Sequence, residues 1–255
     1  MNLIHGDCLE EMVKLIENDV KIDLVLTDPP YGMTANKWDS LLDFNKVWNY
    51  IDELSTNKTT TLLFGSEPFS THLRYSNLND YKYDLYWVKN TSTGFVHAKN
   101  KPLKNIELIS VFSKGVMNHK NLSDNRMTYN PQGLIPFNKE VTSGQNKFGR
   151  LYGWRKSQED KYVREFTNYP KMVIHYDVVP RNKTVHPSQK PIDLLGYLIS
   201  TYSDEGDVVL DFTMGSGSTG VACKELNRDF IGIELDENYY SIAKERIKNI
   251  QGRLV

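Results

Sequence analysis

The stretch VVLDFTMGSGSTG, residues 208–220, decides the fold. Val208, Val209 and Leu210 make a short, β-branched apolar run of the kind that forms a buried strand, and the run ends in Asp211. Gly215, Gly217 and Gly220 follow with the spacing GxGxxG, and a helix is predicted from about Ser218. Such a strand-turn-helix puts unpaired backbone N–H groups of the helix start beside the loop. The next apolar run, Phe230 to Ile233, predicts a second strand, and Glu234 at its end lies 23 residues beyond Asp211. An acid there accepts hydrogen bonds from ribose hydroxyls. Loop and acid together predict a cofactor that carries adenosine. Candidate contacts are Asp211, Phe212, Thr213, Gly215, Gly217, Thr219 and Glu234. Taken alone, this loop serves a nicotinamide dinucleotide as well as S-adenosylmethionine, and its plainer reading is a glycine turn between a strand and a helix.

Upstream, the same alternation recurs. Leu3-Ile4, Leu24 to Leu26, Thr61 to Phe64, Tyr83 to Val88 and Leu108 to Phe112 read as strands, with helices expected over 8–16 and 67–77. Residues 1–114 and 186–255 therefore predict two halves of one α/β domain. In the second half Pro191 suits a helix start, followed by the apolar stripe Leu194, Leu195, Leu198 and Ile199. Residues 115–185 carry no sustained period and are broken by Pro131, Pro136, Pro170 and Pro180, which predicts an insertion of turns and short strands.

Composition narrows the function. The chain has 255 residues, 39% of them hydrophobic, and a formal net charge of -1, so no global positive field draws it to nucleic acid. Residues 115–185, however, hold twelve Lys or Arg against six Asp or Glu. A basic segment is set into an acidic body. No apolar run exceeds the four residues Leu85 to Val88, which predicts no membrane span and no membrane partner. Two cysteines without CxxC spacing predict a reducing compartment, with the cytoplasm as the expected location. His5, His72, His97, His119 and His175 show no ligand spacing, and no metal is expected.

A second motif carries chemistry. Asp28-Pro29-Pro30-Tyr31 follows the strand ending at Leu26, which places it at the carboxyl edge where open α/β sheets bind ligands. Two prolines stiffen the turn and remove two donors, leaving carbonyls, a carboxylate and an aromatic face. That acceptor-rich cluster suits an exocyclic amine, with Asp28 and the Pro29 carbonyl taking its hydrogens and Tyr31 stacking on the ring. Its plainer reading is a rigid strand-ending turn.

With these motifs the chain resembles the S-adenosylmethionine-dependent DNA amino-methyltransferases, in the permuted order often called the beta group. There the DPPY-type turn comes first, the target-recognition region next and the glycine loop last, as here. His186-Pro187-Ser188-Gln189-Lys190-Pro191 looks like that family's HPxQKP segment. The likeness extends to Gly6–Met12, to the stretch through Asn36, Trp38 and Asp39, and to Gly94-Phe95 through Pro102. It implies a Rossmann-like class I methyltransferase sheet with circularly permuted motif order and an inserted target-recognition region. It also implies that Asp7, with Cys8 beside it, approaches the cofactor's adenine ring, and that Lys190 lines the methionine end. Asp7 with Glu10 equally fits a helix-capping box.

The chain departs from the pattern twice. Thr213 stands where the family often has an aromatic, and Ile106-Glu107 where it often has His-Glu, so Glu107 receives no role. The basic segment is the expected DNA reader, through Lys147, Arg150, Trp154, Arg155, Lys156, Lys161 and Arg164, interleaved with Phe148, Tyr152, Tyr162 and Phe166. A solvated charge run around a small aromatic core would look the same. The predicted activity is site-specific methylation of adenine N6 in a flipped-out nucleotide. Cytosine N4 is the nearest alternative, because the family's cytosine enzymes more often carry Ser at the position of Asp28. A protein-glutamine methyltransferase uses a turn beginning with Asn, a nicotinamide-dependent oxidoreductase leaves DPPY and HPSQKP unexplained, and a non-catalytic DNA-binding module has no use for both intact motifs. Members of the family are often homodimers, and a homodimer, a cognate nuclease, and a restriction or phage context stay open for this chain.

Overall fold

The structure is a computed structural model that describes residues 1–32, 42–117, 125–142, 161–186 and 189–250. Residues 1–130 and 172–255 cluster as one compact unit and residues 131–171 as another. The first unit holds strands β1 (Asn2–His5), β2 (Ile22–Thr27), β3 (Ser55–Gly65), β4 (Tyr81–Thr93) and β5 (Lys104–Ser113). It also holds β8 (Val173–His175), β9 (Val208–Asp211) and β10 (Asp229–Glu234). Its helices are α1 (Cys8–Glu17), α2 (Phe44–Leu54), α3 (Phe69–Ser76), α4 (Ile192–Tyr202), α5 (Ser218–Glu225) and α6 (Glu237–Asn249). The second unit contains β6 (Ile135–Thr142) and β7 (Lys161–Thr167).

The eight strands of the first unit form one sheet in the order β1-β10-β9-β2-β3-β5-β4-β8. From β1 to β3 every neighbour is parallel, β5 runs antiparallel to both β3 and β4, and β8 pairs parallel with β4. The expected Rossmann-like α/β sheet is the one that forms. Strand β8, inside the segment 115–185, joins this main sheet, so the separate unit is narrower than that segment.

Strand periodicity places two cores. Leu24, Leu26, Leu62 and Phe64 point to one face, against Leu194 and Leu198 of α4 and Ala222 of α5. The alternate residues Val25, Leu63, Leu210 and Ile233 point to the other, against Met12 of α1, Val47 and Ile51 of α2 and Leu73 of α3. Such a side chain, fully buried, contributes about 1.5–3 kcal/mol. Burial on both faces explains why β2 reads as an almost continuous apolar run.

Helix starts are set by side chains. Asp7 caps α1, accepting from the amides of Leu9 (2.9 Å) and Glu10 (3.2 Å), and Asp236 caps α6 through Asn238 and Tyr239. Gly217 begins α5 in the left-handed conformation, φ 75°, and a Cβ there would stand 2.8 Å from Cβ of Ala243 in α6. No described helix is long and apolar enough to cross a membrane.

In the second unit β6 and β7 pair antiparallel, with Lys139 opposite Arg164 and Thr142 opposite Lys161. Lys139 and Arg164 flank the Phe137 ring at 5.3 and 5.9 Å. The side chains of both Lys161 and Arg164 are exposed, and Lys161 pairs with Glu140 at 3.2 Å.

Candidate active site

The parallel strands β2, β9 and β10 end at one edge of the sheet, and the residues just past their ends line one pocket. It gathers Asp7, Cys8, Thr27, Asp28, Pro30, Phe64, His186, Lys190, Asp211, Phe212, Thr213, Gly215, Thr219 and Glu234. The DPPY turn and the glycine loop, about 180 residues apart in the chain, thus meet because β2 and β9 are neighbours. They also touch. The Thr213 hydroxyl donates to the Asp28 carbonyl (3.2 Å) and lies 2.7 Å from the Thr27 hydroxyl, which donates to Asp211 (2.6 Å).

Asp211 is buried and fully engaged by neutral donors. Its Oδ1 accepts from Thr27 and from the Thr213 amide (3.2 Å), its Oδ2 from Thr219 (2.6 Å). Burial pushes its carboxyl up to about 6, with these hydrogen bonds opposing the rise. Glu234 sits across the loop, accepting from the amides of Gly215 and Asp236, both at 2.8 Å. Glu234 also lines the pocket, and a carboxylate can accept more than these two bonds. Burial raises this carboxyl too.

The predicted loop residues divide into two kinds. Gly215 and Thr219 line the pocket, whereas Gly217 does not and instead allows α5 to pack against α6. Phe212 borders the pocket while its ring packs in the core with Met12 and Ile233. Asp7 serves as the α1 cap and lines the pocket as well, so both of its sequence readings coexist in one geometry. Cys8 lines the pocket but is buried, which with Asp7 nearby drives its thiol up to about 12, beyond reactivity at neutral pH. His186 meets Tyr239 edge-on at 4.2 Å, and burial pulls it down to about 4, so it is neutral. Pro187 and Ser188 lie outside the described residues, as do Asn36, Trp38 and Asp39.

At the DPPY turn, the Tyr31 hydroxyl donates to Oδ1 of Asp28 at 2.5 Å, and its ring stacks on Phe69 at 4.7 Å. The ammonium of Lys190 pairs with Oδ2 of Asp28 and with Glu107 Oε1 at 3.2 Å. Burial raises the Asp28 carboxyl above its ordinary value; Lys190 opposes the rise and the charge of Glu107 adds to it. Lys190, read from sequence as a cofactor contact, therefore lines the pocket while bound to the acid of the turn. Glu107 and Lys89, which pairs with it at 2.5 Å, had no assignment from sequence. The available signal was a charged residue at the head of the buried run Leu108 to Phe112.

Of the expected DNA contacts, Lys161 and Arg164 lie exposed on β7. Lys147, Arg150, Trp154, Arg155 and Lys156 lie outside the described residues.

An α/β sheet with an adenosine-type glycine loop and an acceptor-rich turn facing it defines an enzyme that transfers a group from a nucleoside-bearing donor. Residues 22–245 match the DNA methylase family of N6 and N4 amino-methyltransferases, and the chain belongs to that family. It is 28% identical over 252 residues to the type II methyltransferase M.HpaI of Haemophilus parainfluenzae, covering 96% of this chain and 73% of that protein. It is 28% identical over 264 residues to the DNA adenine methyltransferase YhdJ of Escherichia coli K12, covering 96% and 82%. Among solved structures, the complex of M1.HpyAVI with S-adenosylmethionine superposes with a TM-score of 0.64 at 25% identity, covering 96% of this chain and 98% of that one. The cytosine-N4-specific PvuII methyltransferase shares the fold, with a TM-score of 0.66 at 15% identity over 98% and 87%.

Proposed function

We propose that this DNA methylase transfers the methyl group of S-adenosylmethionine to the exocyclic N6 amine of adenine, in a nucleotide rotated out of the duplex. The observation that carries the reading is the joining of the Asp28 turn to the glycine loop in one pocket through Thr213 and Thr27. The residues fit the cofactor chemically. Glu234 offers carboxylate lone pairs to a ribose diol, Gly215 lets the backbone come close, and Asp7 and Leu235 border the same pocket.

S-adenosylmethionine supplies a methyl group already activated by a sulfonium, so the protein's task is alignment and exclusion of water. Asp28 and the Pro29 carbonyl accept the two hydrogens of the amine, which favours a pyramidal nitrogen and frees its lone pair. The amine takes the place on Oδ1 that the Tyr31 hydroxyl holds, and the Tyr31 ring stacks on the base. As the carbon–nitrogen bond forms and the carbon–sulfur pair returns to sulfur, the Asp28 carboxylate stabilises the positive charge on nitrogen. The excess proton leaves through Asp28 or to water.

Adenine is preferred to cytosine because the turn opens with Asp, and because YhdJ, described as a DNA adenine methyltransferase, aligns over nearly the whole chain. Lys161 and Arg164, exposed on the β6–β7 ladder, are assigned to DNA contact, and Lys147, Arg150, Trp154, Arg155 and Lys156 are assigned to it on charge and aromatic content alone. The test is digestion of methylated DNA to nucleosides followed by mass spectrometry. N6-methyladenine is the expected product; N4-methylcytosine would overturn the choice of base, and no methylated base would overturn the reading.

A further inference from the structure

Four charged side chains alternate in a chain of ion pairs that leads away from the pocket: Asp28 after β2 and Lys190 ahead of α4, which line it, then Glu107 of β5 and Lys89 of β4. Each comes from a different part of the chain. Side-chain exposure is 24% for Lys89, 11% for Glu107, 11% for Lys190 and 19% for Asp28. Desolvating one ion pair this far costs several kcal/mol per ion, and a buried charge without a partner is strongly destabilising. Alternation answers that cost, because both interior members contact two opposite charges. The ends are held as well, since Lys89 lies 4.6 Å over the Trp87 ring and Tyr31 caps Asp28.

The geometry of the chain is directional. Lys190 occupies Oδ2 of Asp28, while Oδ1 faces the Tyr31 hydroxyl. A lysine has a flexible four-carbon stem and cannot by itself keep one oxygen of a carboxylate covered. Glu107 Oε1 supplies the second anchor, Lys89 fixes Glu107 through Oε2, and the Phe64 ring lies 4.8 Å beneath the Lys190 ammonium.

We propose that Glu107 and Lys89 are positioning residues for methyl transfer, which clamp Lys190 onto Oδ2 of Asp28 so that Oδ1 is the oxygen presented to the target amine. The proposal rests on the reading of Asp28 given above and extends it to two residues that touch neither base nor donor. It carries a pH consequence. The charged groups facing Asp28 are Lys190 and Glu107, with Asp211 behind it on β9 and Lys89 beyond Glu107. Burial raises the Asp28 carboxyl and Lys190 holds the rise in check. Since the ionised form accepts the amine, activity is present above the pKa of Asp28 and lost as pH falls through it. Removing Lys190 moves that loss to higher pH.

The experiment measures steady-state methylation of plasmid DNA from a methylation-free host with labelled S-adenosylmethionine. Wild type, Glu107→Gln, Lys89→Met, Lys190→Met, Lys190→Arg and the double variant E107Q/K190M are compared between about pH 5 and pH 9. Glu107→Gln and Lys89→Met are expected to lower kcat about tenfold, with KM for S-adenosylmethionine within about twofold. Lys190→Met should lower kcat further and move the acid limb up by about one pH unit or more, and Lys190→Arg should return the limb towards wild type. The double variant should match Lys190→Met within about twofold, because Glu107 acts through Lys190.

Full kcat in Glu107→Gln or Lys89→Met overturns the proposal, as do losses that multiply in the double variant. A Lys190→Met enzyme with an unmoved acid limb and a weakened grip on S-adenosylmethionine also overturns it, making Lys190 a cofactor ligand. If Lys190→Met does not fold, Glu107→Gln and Lys89→Met decide the matter alone. Failure of the underlying reading looks different: wild type would then methylate no DNA, or Asp28→Asn would remain active.

Discussion

Two acids stand at the ends of neighbouring strands, Asp28 after β2 and Asp211 at the end of β9, and the protein holds them by different means. Asp211 is surrounded by hydroxyls and an amide from Thr27, Thr219 and Thr213. Asp28 is held by a lysine that is itself held by a second acid. Neutral donors organise a loop without adding charge to the interior. A cation favours the charged carboxylate where burial opposes it, and leaves the other oxygen, here bonded by the Tyr31 hydroxyl, to accept from a neutral donor. The contrast matches the roles proposed above, in which the Asp211 side shapes the donor's seat and the Asp28 side meets the reacting amine. The variants most able to break that division are those in which each side should fail in only one kinetic constant.

The largest effect is expected at Asp28. Asp28→Ala should lower kcat by about 100- to 10,000-fold, the range for losing an acid–base or charge-stabilising group, while S-adenosylmethionine still binds within about threefold of wild type. Single-turnover methylation and isothermal calorimetry measure the two quantities separately. A variant that loses donor binding along with turnover would erase the boundary between the two acids.

Glu234 tests the opposite side. Its two oxygens fix the amides of Gly215 and Asp236, and a ribose diol would share them. Glu234→Gln should weaken S-adenosylmethionine binding about tenfold, near the worth of one hydrogen bond to a charged group, with kcat at saturation within about threefold. Calorimetry with S-adenosylmethionine reads the first and saturating kinetics the second. A fall in kcat with unchanged affinity would place Glu234 with the chemistry.

Much of this contrast was legible before any coordinates. Asp28, Gly215 and Glu234 announce themselves because each sits in a short local motif at the end of an apolar run, where the fold places ligands. Glu107 and Lys89 were not legible, because what gives them meaning is the antiparallel pairing of β4 with β5, which sets Trp87 opposite Glu107. A long-range register of that kind leaves no spacing to read. Gly217 was read as a cofactor contact, and its partner in the fold is Ala243 of a helix that begins twenty residues later. Helix α2 was legible but not predicted: its buried residues Val47, Trp48, Ile51 and Leu54 follow the i, i+1, i+4, i+7 spacing of an amphipathic helix, and Asp43 caps its start. The proposal that residues 147–156 read DNA rests on their charge and aromatic content alone, and they lie outside the described residues.

The smallest effect sharpens the comparison through pH. Thr219 donates to Oδ2 of Asp211 at 2.6 Å, and that bond favours the ionised carboxylate. In the folded protein Asp211 titrates at about 6, above its value in the unfolded chain, so the native state holds a proton in that window which the unfolded chain has released. Asp211 therefore opposes folding increasingly as pH rises through the window, and the Thr219 hydroxyl limits the cost. Thr219→Val removes the donor and moves the pKa further up. Urea unfolding should show a loss of about 1–2 kcal/mol at pH 7, and a smaller loss at pH 5, where Asp211 is already protonated. An equal loss at both values would mean that Thr219 acts by packing alone, and the two acids would then differ less in their electrostatics than their partners suggest.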